Sequence, residues 1–178
     1  MNLSGEEIHS LDGKYAEGKL MNSTQLLRDY GSGQRSFQNA YCHQIDLRGA
    51  ALSQINLSGA DLSQADLAST NLNGANLSYA NLTDADLSQA DLRSANLSQV
   101  NLIGADLSGA KLGRANLKGA DLRCANLSHA DFIGACLDGA ELSGAELNGA
   151  NITQAELSQT ARHSGESRRW VTWAGGRS

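Results

Sequence analysis

The sequence predicts an all-β solenoid, in which the chain is wound into stacked coils by one turn every five residues. Three observations lead to this fold class. From Leu47 to Leu157 every fifth residue is leucine, with Phe132 and Ile152 as replacements. The residue two positions earlier is mostly alanine, and Asp or Asn usually stands between the two. Gly, Ser, Gln and Asn fill most of the two positions that follow, as expected for corners.

A period of five fits neither regular element as a continuous stretch. On an α-helix, successive leucines would lie about 140° apart and would face all sides. On a straight strand, an odd spacing would place successive leucines on opposite faces. The leucine and the small residue two before it both face inward only if the chain turns once per unit. Each unit is therefore a short extended side followed by a corner.

The residue before each leucine indicates four units per coil. Two sets of these residues, each spaced by 20 positions, differ in chemistry. One set is Asp46, Asp66, Asp86, Asp106, Asn126 and Glu146, and the other is Asn56, Asn76, Asn96, Asn116, Cys136 and Glu156. A period of three units mixes Asp and Asn within each set. This favours a coil of four sides.

The unit Ala-(Asp/Asn)-Leu-x-x resembles the repeat of the pentapeptide-repeat family, and it covers roughly two-thirds of the chain. The resemblance implies a right-handed quadrilateral β-helix with Leu, Phe and Ala inside. Residues 26–30 and 33–37 are similar to the lead-in of many cyanobacterial members. The family implies a function less specifically than a fold, because its members are rigid surfaces for different partners.

The chain divides into four predicted segments. They are a poorly structured or weakly helical leader (1–21), a helical cap (22–35), the repeat β-helix (36–160) and a basic, Trp-containing tail (161–178).

The cap is predicted as one short helix. Asn22 or Ser23 can cap its N-terminus, Leu26, Leu27 and Tyr30 lie on one side, and Gly31 is placed to end it. A stack of coils leaves its first apolar layer and its first backbone edge uncovered. We therefore expect this helix to cover the open end; a partner-docking helix is the alternative.

The interior of the stack is predicted to consist of columns of apolar side chains. One column is Phe37, Leu57, Leu77, Leu97, Leu117 and Leu137. Ala95 and Ala115 are small inward positions beside that column. Cys42 takes the place of a central leucine and should be buried.

No residue pattern predicts chemistry. His43 and His129 fall on different sides of the stack, and no His/Cys grouping has the spacing of metal ligands. No Ser or Cys has a predictable His and carboxylate partner. We therefore expect no catalytic, cofactor-binding or metal-binding residue, and no enzymatic activity.

The location suggested by the sequence is the cytoplasm. Nothing at the start resembles a secretory signal, and no apolar run approaches membrane-spanning length. The three cysteines, Cys42, Cys124 and Cys136, cannot all pair and are interpreted as free thiols in a reducing compartment. The family resemblance suggests a cyanobacterial setting.

The repeat segment is acidic, with acids outnumbering bases by about two to one. Asp46, Asp66, Asp86 and Asp106 should form one outward column, while Asp61, Asp121 and Glu141 lie on the adjoining side. Arg93, Lys111, Arg114, Lys118 and Arg123 gather in the middle coils. Two interpretations stay open. The carboxylates can bond to backbone at corners, or they can form an acidic surface for a basic partner.

Two further features are candidate contacts. Ile103 and Ile133, each just after a central residue, are expected to be exposed, with Tyr79 on a corner; the two isoleucines could anchor a partner if they lie close together. The tail holds Trp170 and Trp173 among arginines. It is expected to fold over the last coil, to be disordered, or to bind a partner or membrane.

We interpret the chain as a non-enzymatic scaffold that binds another protein through one side of a rigid rod. The alternative is a DNA-mimicking pentapeptide-repeat protein that binds a type II topoisomerase, DNA gyrase. The sequence departs from that branch in its nearly uniform central leucine and its lack of an inserted loop. Direct binding of nucleic acid is not expected, and the sequence leaves the partner and the oligomeric state open.

Overall fold

A computed structural model describes residues 19–153, which form a right-handed quadrilateral β-helix with one helix at its N-terminal end. Within these residues the β-structure consists of single-residue parallel bridges, such as Asp46 with Asp66 and Asn56 with Asn76. From Ser36 onward every bridge joins residues 20 positions apart. The coil therefore has four five-residue sides, as predicted.

Each unit repeats the same backbone hydrogen bonds. The Leu57 amide donates to the Asn76 carbonyl at 2.8 Å, and the Gly59 amide donates to the Ser78 carbonyl at 2.9 Å, so both bonds join adjacent coils. Within the unit, the Ala60 amide donates to the Leu57 carbonyl at 3.0 Å. The residue before that alanine has positive φ, 68° at Gly59, which is typical of a type II turn. The chain therefore turns about 90° at every unit.

The interior is filled by the central residue and the small residue two positions before it. Both sets are buried along the described repeat except Ala50 and Ala150, which are partly buried; among the buried residues are Phe37, Leu57, Leu77, Leu97, Leu117, Leu137, Ala95 and Ala115. Thr70 replaces an alanine and is fully buried; its hydroxyl donates to the Leu47 carbonyl at 2.8 Å. A buried hydroxyl that keeps a partner avoids the cost of desolvation.

Helix α1 (Ser23–Gly31) lies at the N-terminal end of the stack. Asn22 caps it by accepting the Gln25 amide at 2.9 Å. Leu26 is fully buried in the core cluster, and the Tyr30 hydroxyl donates to the Ser53 carbonyl at 2.8 Å. Leu27, predicted on the buried side, is 41% exposed. Leu26 is the one residue of α1 that is buried.

Helix α1 ends at the predicted glycine, and a second glycine forms its C-terminal cap. Gly31 is the last helical residue, and the left-handed residue beyond it is Gly33, with φ of 102°. The Gly33 amide donates to Tyr30 and the Gln34 amide donates to Asp29, both at 3.0 Å. These two bonds form a Schellman motif. The prediction named the last helical residue, Gly31, but not the left-handed glycine of the motif, Gly33.

The structure also describes Lys19 to Met21, which fall in the predicted leader. The Tyr41 amide donates to the Lys19 carbonyl and the Met21 amide donates to the Tyr41 carbonyl, both at 2.9 Å. Met21 is buried. The rest of the leader, residues 154–160 of the repeat and the predicted tail lie outside the described residues.

The four sides of the rod are named here by the residues that precede the central leucines. The acidic face carries Asp46, Asp66, Asp86, Asp106, Asn126 and Glu146; the basic face carries Ala51, Asn71, Asp91, Lys111, Asp131 and Asn151; the amide face carries Ser36, Asn56, Asn76, Asn96, Asn116 and Cys136; the fourth face carries Tyr41, Asp61, Asn81, Asn101, Asp121 and Glu141. The acidic face is opposite the amide face, and the basic face is opposite the fourth face.

Candidate partner-binding surfaces

The carboxylates of the acidic face are held by the corners. Oδ1 of Asp86 accepts the Ser88 amide at 2.8 Å, and Oδ1 of Asp106 accepts the Ser108 amide at 2.8 Å. Asp66 accepts the Ala68 amide in the same way at 3.2 Å. These are Asx-type turns. Each acid therefore has a structural contact that fixes its position.

The predicted column of four acids is real but not uniform. Asp46, Asp66, Asp86 and Asp106 lie in consecutive coils of one face. Arg48 contacts the first two, with Nη2 2.8 Å from Oδ2 of Asp46 and Nε 3.1 Å from Oδ2 of Asp66. Oδ2 of Asp86 and Oδ2 of Asp106 have no hydrogen-bond partner among the described residues. The unpaired negative charge is therefore concentrated in the middle coils.

Sequence reasoning missed these ion pairs, although the sequence carried a signal. The tripeptide Asp-Leu-Arg occurs three times, beginning at Asp46, Asp91 and Asp121. In every case the arginine pairs with the acid two residues earlier, at 2.8, 2.6 and 2.7 Å. Residues two apart on an extended segment lie on the same side. The rule places one such pair on each of three faces.

The arginines change the acidity of their partners. Hydrogen bonds from the Arg48 side chain lower the pKa of Asp46 below its usual range. Arg93 and Arg123 lower the pKa values of Asp91 and Asp121 by the same contact, partly opposed by desolvation. Hydrogen bonds to the charged form of a carboxyl favour that form. These pairs therefore stay ionised at neutral pH.

The basic face contains an open groove of about 380 Å³ over Gly113. Arg93 lies on one side of Gly113 and Ile133 on the other, one coil away in each direction. The groove is also lined by Arg114, Asp131, Asn73 and Ser94. The arginine predicted in the middle coils at position 93 is thus beside a depression, which the sequence-based interpretation did not foresee.

The two isoleucines do not form one patch. Ile133 is 59% exposed on the basic face, whereas Ile103 is half-buried on the fourth face, which lies opposite. The expectation that both are exposed was wrong for Ile103. Tyr79 occupies a corner with φ of 60° and is 71% exposed. The apolar surface groups are therefore dispersed over different sides.

The cysteines are unpaired, and one is inaccessible. Cys42 is buried, while Cys124 and Cys136 are exposed on different sides. Burial, with a smaller contribution from the charge of Asp61, raises the pKa of the Cys42 thiol to about 12. Among residues 19–153 no group of three His, Cys, Asp or Glu side chains is arranged to hold a metal ion. No helix in that part of the chain is both long and apolar enough to cross a bilayer. Trp170 and Trp173 lie outside the described residues.

The repeat, the four-sided coil and the filled interior together define a solenoid whose chemistry lies on its surface. The family model for pentapeptide repeats matches in eight copies over residues 36–74, 70–109, 101–139 and 125–160. The chain therefore belongs to the pentapeptide-repeat family, whose members are generally non-enzymatic, scaffold-like repeat proteins.

Solved structures of other members are similar to this chain. A pentapeptide repeat protein from the Arabidopsis thaliana thylakoid lumen is 35% identical, with a TM-score of 0.56, over 57% of this chain and 71% of that one. One from Nostoc PCC 7120 is 41% identical, with a TM-score of 0.53, over 56% and 80%. Rfr23 from the cyanobacterium Cyanothece 51142 is 28% identical, with a TM-score of 0.57, over 72% and 97%. Among curated proteins, none matches this chain.

Proposed function

We propose that this protein is a non-enzymatic scaffold that presents its acidic face to a basic surface of a protein partner. The observation that carries the proposal is the use of only one oxygen of Asp86 and of Asp106 by the fold. The second oxygen of each carboxylate has no partner in the described part of the fold. The corner bond made by the first oxygen fixes the position of that negative charge on the surface. Carboxylates held in register form a field that attracts a complementary cationic patch.

The rigidity of the rod supports a binding role. Every coil is bonded to the next through backbone amides, as between Leu87 and Asp106 at 2.7 Å. Because the interior is filled, the surface columns move little relative to each other. A partner therefore meets preorganised groups, which reduces the entropy lost on binding.

The test is affinity capture from a native-like cyanobacterial lysate. The full-length protein is compared with the triple variant Asp66→Asn, Asp86→Asn and Asp106→Asn. The matched control removes the same charge from other faces by Asp61→Asn, Asp138→Asn and Glu141→Gln. We expect a partner that is retained by the control and lost by the triple variant.

Equal retention by the triple variant would reject the acidic face as the binding site. A version ending at Thr160 separates the rod from the tail. If a partner binds the full-length protein but not the shortened one, Trp170 and Trp173 become the proposed contact instead, and the acidic column is structural.

A DNA-mimicking inhibitor of gyrase is the weaker alternative. Its support is the negative charge of the acidic face, but Arg48 already pairs with two of the four acids. Coils repeat at about 4.8 Å, whereas phosphates repeat at about 3.4 Å along each DNA strand. We expect the protein to leave gyrase supercoiling unchanged. Inhibition that the triple variant abolishes would favour the alternative.

We further propose a cytoplasmic location, which the three unpaired cysteines support. One similar protein comes from the thylakoid lumen, so the two compartments are the ones to compare. Fractionation of a cyanobacterium that expresses a tagged full-length chain distinguishes them. Recovery with lumenal proteins would overturn the cytoplasmic assignment.

A further inference from the structure

We infer that the basic face binds an acidic peptide segment of a partner, with an apolar residue beside the acid, in the groove over Gly113. This inference rests on the proposed scaffold function and adds a second face with its own ligand chemistry. The groove is a surface depression of about 380 Å³. An extended peptide laid across it would contact both rims.

The groove exists because one unit lacks a side chain. Of the units within residues 36–153, only that of Leu112 has glycine directly after its central residue. Arg93 and Ile133 occupy the equivalent positions one coil below and one coil above. The missing side chain leaves the floor open between two large neighbours.

Backbone geometry does not explain this glycine. All other glycines of the described repeat occupy the corner position and have positive φ, but Gly113 does not. A Cβ at Gly113 would lie 3.6 Å from the Ile133 carbonyl oxygen and 3.8 Å from Cγ of Arg93. Both distances are ordinary van der Waals contacts. A side chain would therefore fit the fold.

The next residue, Arg114, takes the corner conformation, as twelve other non-glycine residues of the described repeat do. Arg114 holds the corner with φ of 60°. Glycine would adopt the corner conformation at position 114 at less cost than arginine does, and position 113 has room for a side chain that Gly113 lacks. The feature found in only this unit of the described repeat is the glycine directly after the central residue. With glycine at position 113 and arginine at position 114, the floor of the groove is open and a cation lies on its rim.

The cations around the groove are not equally engaged. Arg93 donates to Asp91 from Nε at 2.8 Å and from Nη2 at 2.6 Å. The side chains of Arg114 and Lys111 make no hydrogen bond or ion pair with the described residues. Arg114 therefore brings unused donors to the rim, whereas Lys111 is not among the residues that line the groove and acts on Asp91 through its charge. The chemistry of the Arg114 side chain matches a carboxylate, which accepts charge-assisted hydrogen bonds.

The rest of the lining selects the kind of acidic ligand. Ile133 offers an exposed apolar wall for a neighbouring apolar side chain. Asp91 and Asp131 lie in the same column as Lys111, so a polyanion such as nucleic acid would be repelled. A single carboxylate next to an apolar group satisfies both the cations and the wall. This favours a protein segment over nucleic acid.

The test is an NMR titration of the full chain with defined probes. The first probe is a short capped peptide with a central Leu-Glu-Leu-Glu sequence, and its controls carry Leu-Gln-Leu-Gln or Ser-Glu-Ser-Glu. A duplex DNA oligonucleotide is the fourth probe. We expect saturable shifts of the Gly113, Arg114 and Ile133 amides with the first peptide. Loss of the charged contacts should weaken binding of the Gln peptide about tenfold or more.

The matched variant is the double exchange Gly113→Ser with Arg114→Gly. It converts the unit to Leu-Ser-Gly-Ala, which the chain already contains at residues 57–60 and 107–110. The variant should fold, melt at the same or a higher temperature, and no longer bind the peptide. Ile133→Ser should weaken the Leu-Glu peptide while leaving the Ser-Glu peptide unchanged.

Three outcomes would overturn the inference. They are equal shifts in the double exchange, equal affinities for the Glu and Gln peptides, and the same saturable shifts with the oligonucleotide. The titration is independent of the capture experiment on the acidic face. If the titration shows no binding but the capture succeeds, only the binding role of this groove is rejected. If the capture fails but the titration shows binding, only the binding role of the acidic face is rejected.

Discussion

The acidic face and the amide face solve the same structural problem with different chemistry. On the amide face, Oδ1 of Asn96 accepts the Ser98 amide at 3.2 Å, and on the acidic face Oδ1 of Asp106 accepts the Ser108 amide at 2.8 Å. Both side chains therefore close the same corner. Only the asparagine can also donate, and Nδ2 of Asn96 bonds to Oδ1 of Asn76 at 3.2 Å.

The difference shows which property of the acids the fold does not need. Asparagines link neighbouring coils of the amide face, as Asn116 does with Asn96 at 3.2 Å. Asp86 and Asp66 cannot form such a link, and like charges stacked in adjacent coils repel. The stacked charges therefore repel each other, while the corner bond forms with either side chain, although it is shorter at Asp106 than at Asn96. A costly feature that the fold can do without is a candidate for function.

The largest expected effect tests the interior that both faces share. Ala95→Trp places an indole where the fully buried alanine column leaves no space. We expect a loss of about 3 kcal/mol or more, or no soluble protein. Ser98→Trp, one position beyond Leu97 on the outward side, should be tolerated. Expression and thermal unfolding measure both; similar behaviour of the two variants would contradict the inward and outward assignment.

A smaller effect compares the corner bonds of the two faces. Asn96→Ala and Asp106→Ala each remove the acceptor of a corner amide, and each should cost about 1 kcal/mol. The loss should be somewhat larger for Asn96, which also loses its bonds to Asn76 and Asn116, whereas Asp106 also loses only the bond from Asn126. Urea unfolding of both variants measures the difference. Unchanged midpoints would show that water replaces these bonds at no cost.

Replacing an acid by its amide on the acidic face, and an amide by its acid on the amide face, should change the free energy of unfolding in opposite directions. Asp86→Asn keeps the bond from the Ser88 amide, relieves repulsion and provides a donor for Asp66. We expect stabilisation of a few tenths to about 1 kcal/mol at low salt. The reverse change, Asn96→Asp, should destabilise by a similar amount. Both effects should shrink in high salt. If both variants change the free energy of unfolding in the same direction, the proposed difference between the two faces is wrong.

The smallest expected effect is on stability at acidic pH. Because Arg48 lowers the pKa of Asp46, this carboxyl contributes stability that is present above its unfolded pKa of about 4 and lost as pH falls through the lower folded value. Arg48→Gln should return the folded pKa toward the ordinary range and remove that contribution. Carbon NMR titration of Asp46 measures the shift directly. An unchanged pKa in the variant would show that Arg48 is not its cause.

Most of the fold could be predicted because its rule is local. A leucine every five residues, with alanine two positions before it, leaves a chain of this period no other way to bury both. The 20-residue register followed from the Asp46 and Asn56 columns. Helix α1 was less predictable, since its packing has no period. Leu27 was assigned to the buried side for that reason.

The candidate surfaces could be predicted only in part. The acidic column followed from the register, but its pairing with Arg48 depends on how far an arginine side chain reaches along and between coils. The same register places Ile103 and Ile133 on different faces, but the sequence-based prediction did not use it to separate them. The groove over Gly113 needed the tertiary structure, because it is defined by side chains one coil above and one coil below.

The sequence by itself determined the solenoid, the inward leucine and alanine columns and the segregation of charge by face. These features repeat with the chain, so each unit specifies them independently. The tertiary structure alone decided which charges are paired, how α1 covers the first coil and where the surface is concave. These features depend on contacts between residues about 20 positions apart, where the size and reach of each side chain determine the result.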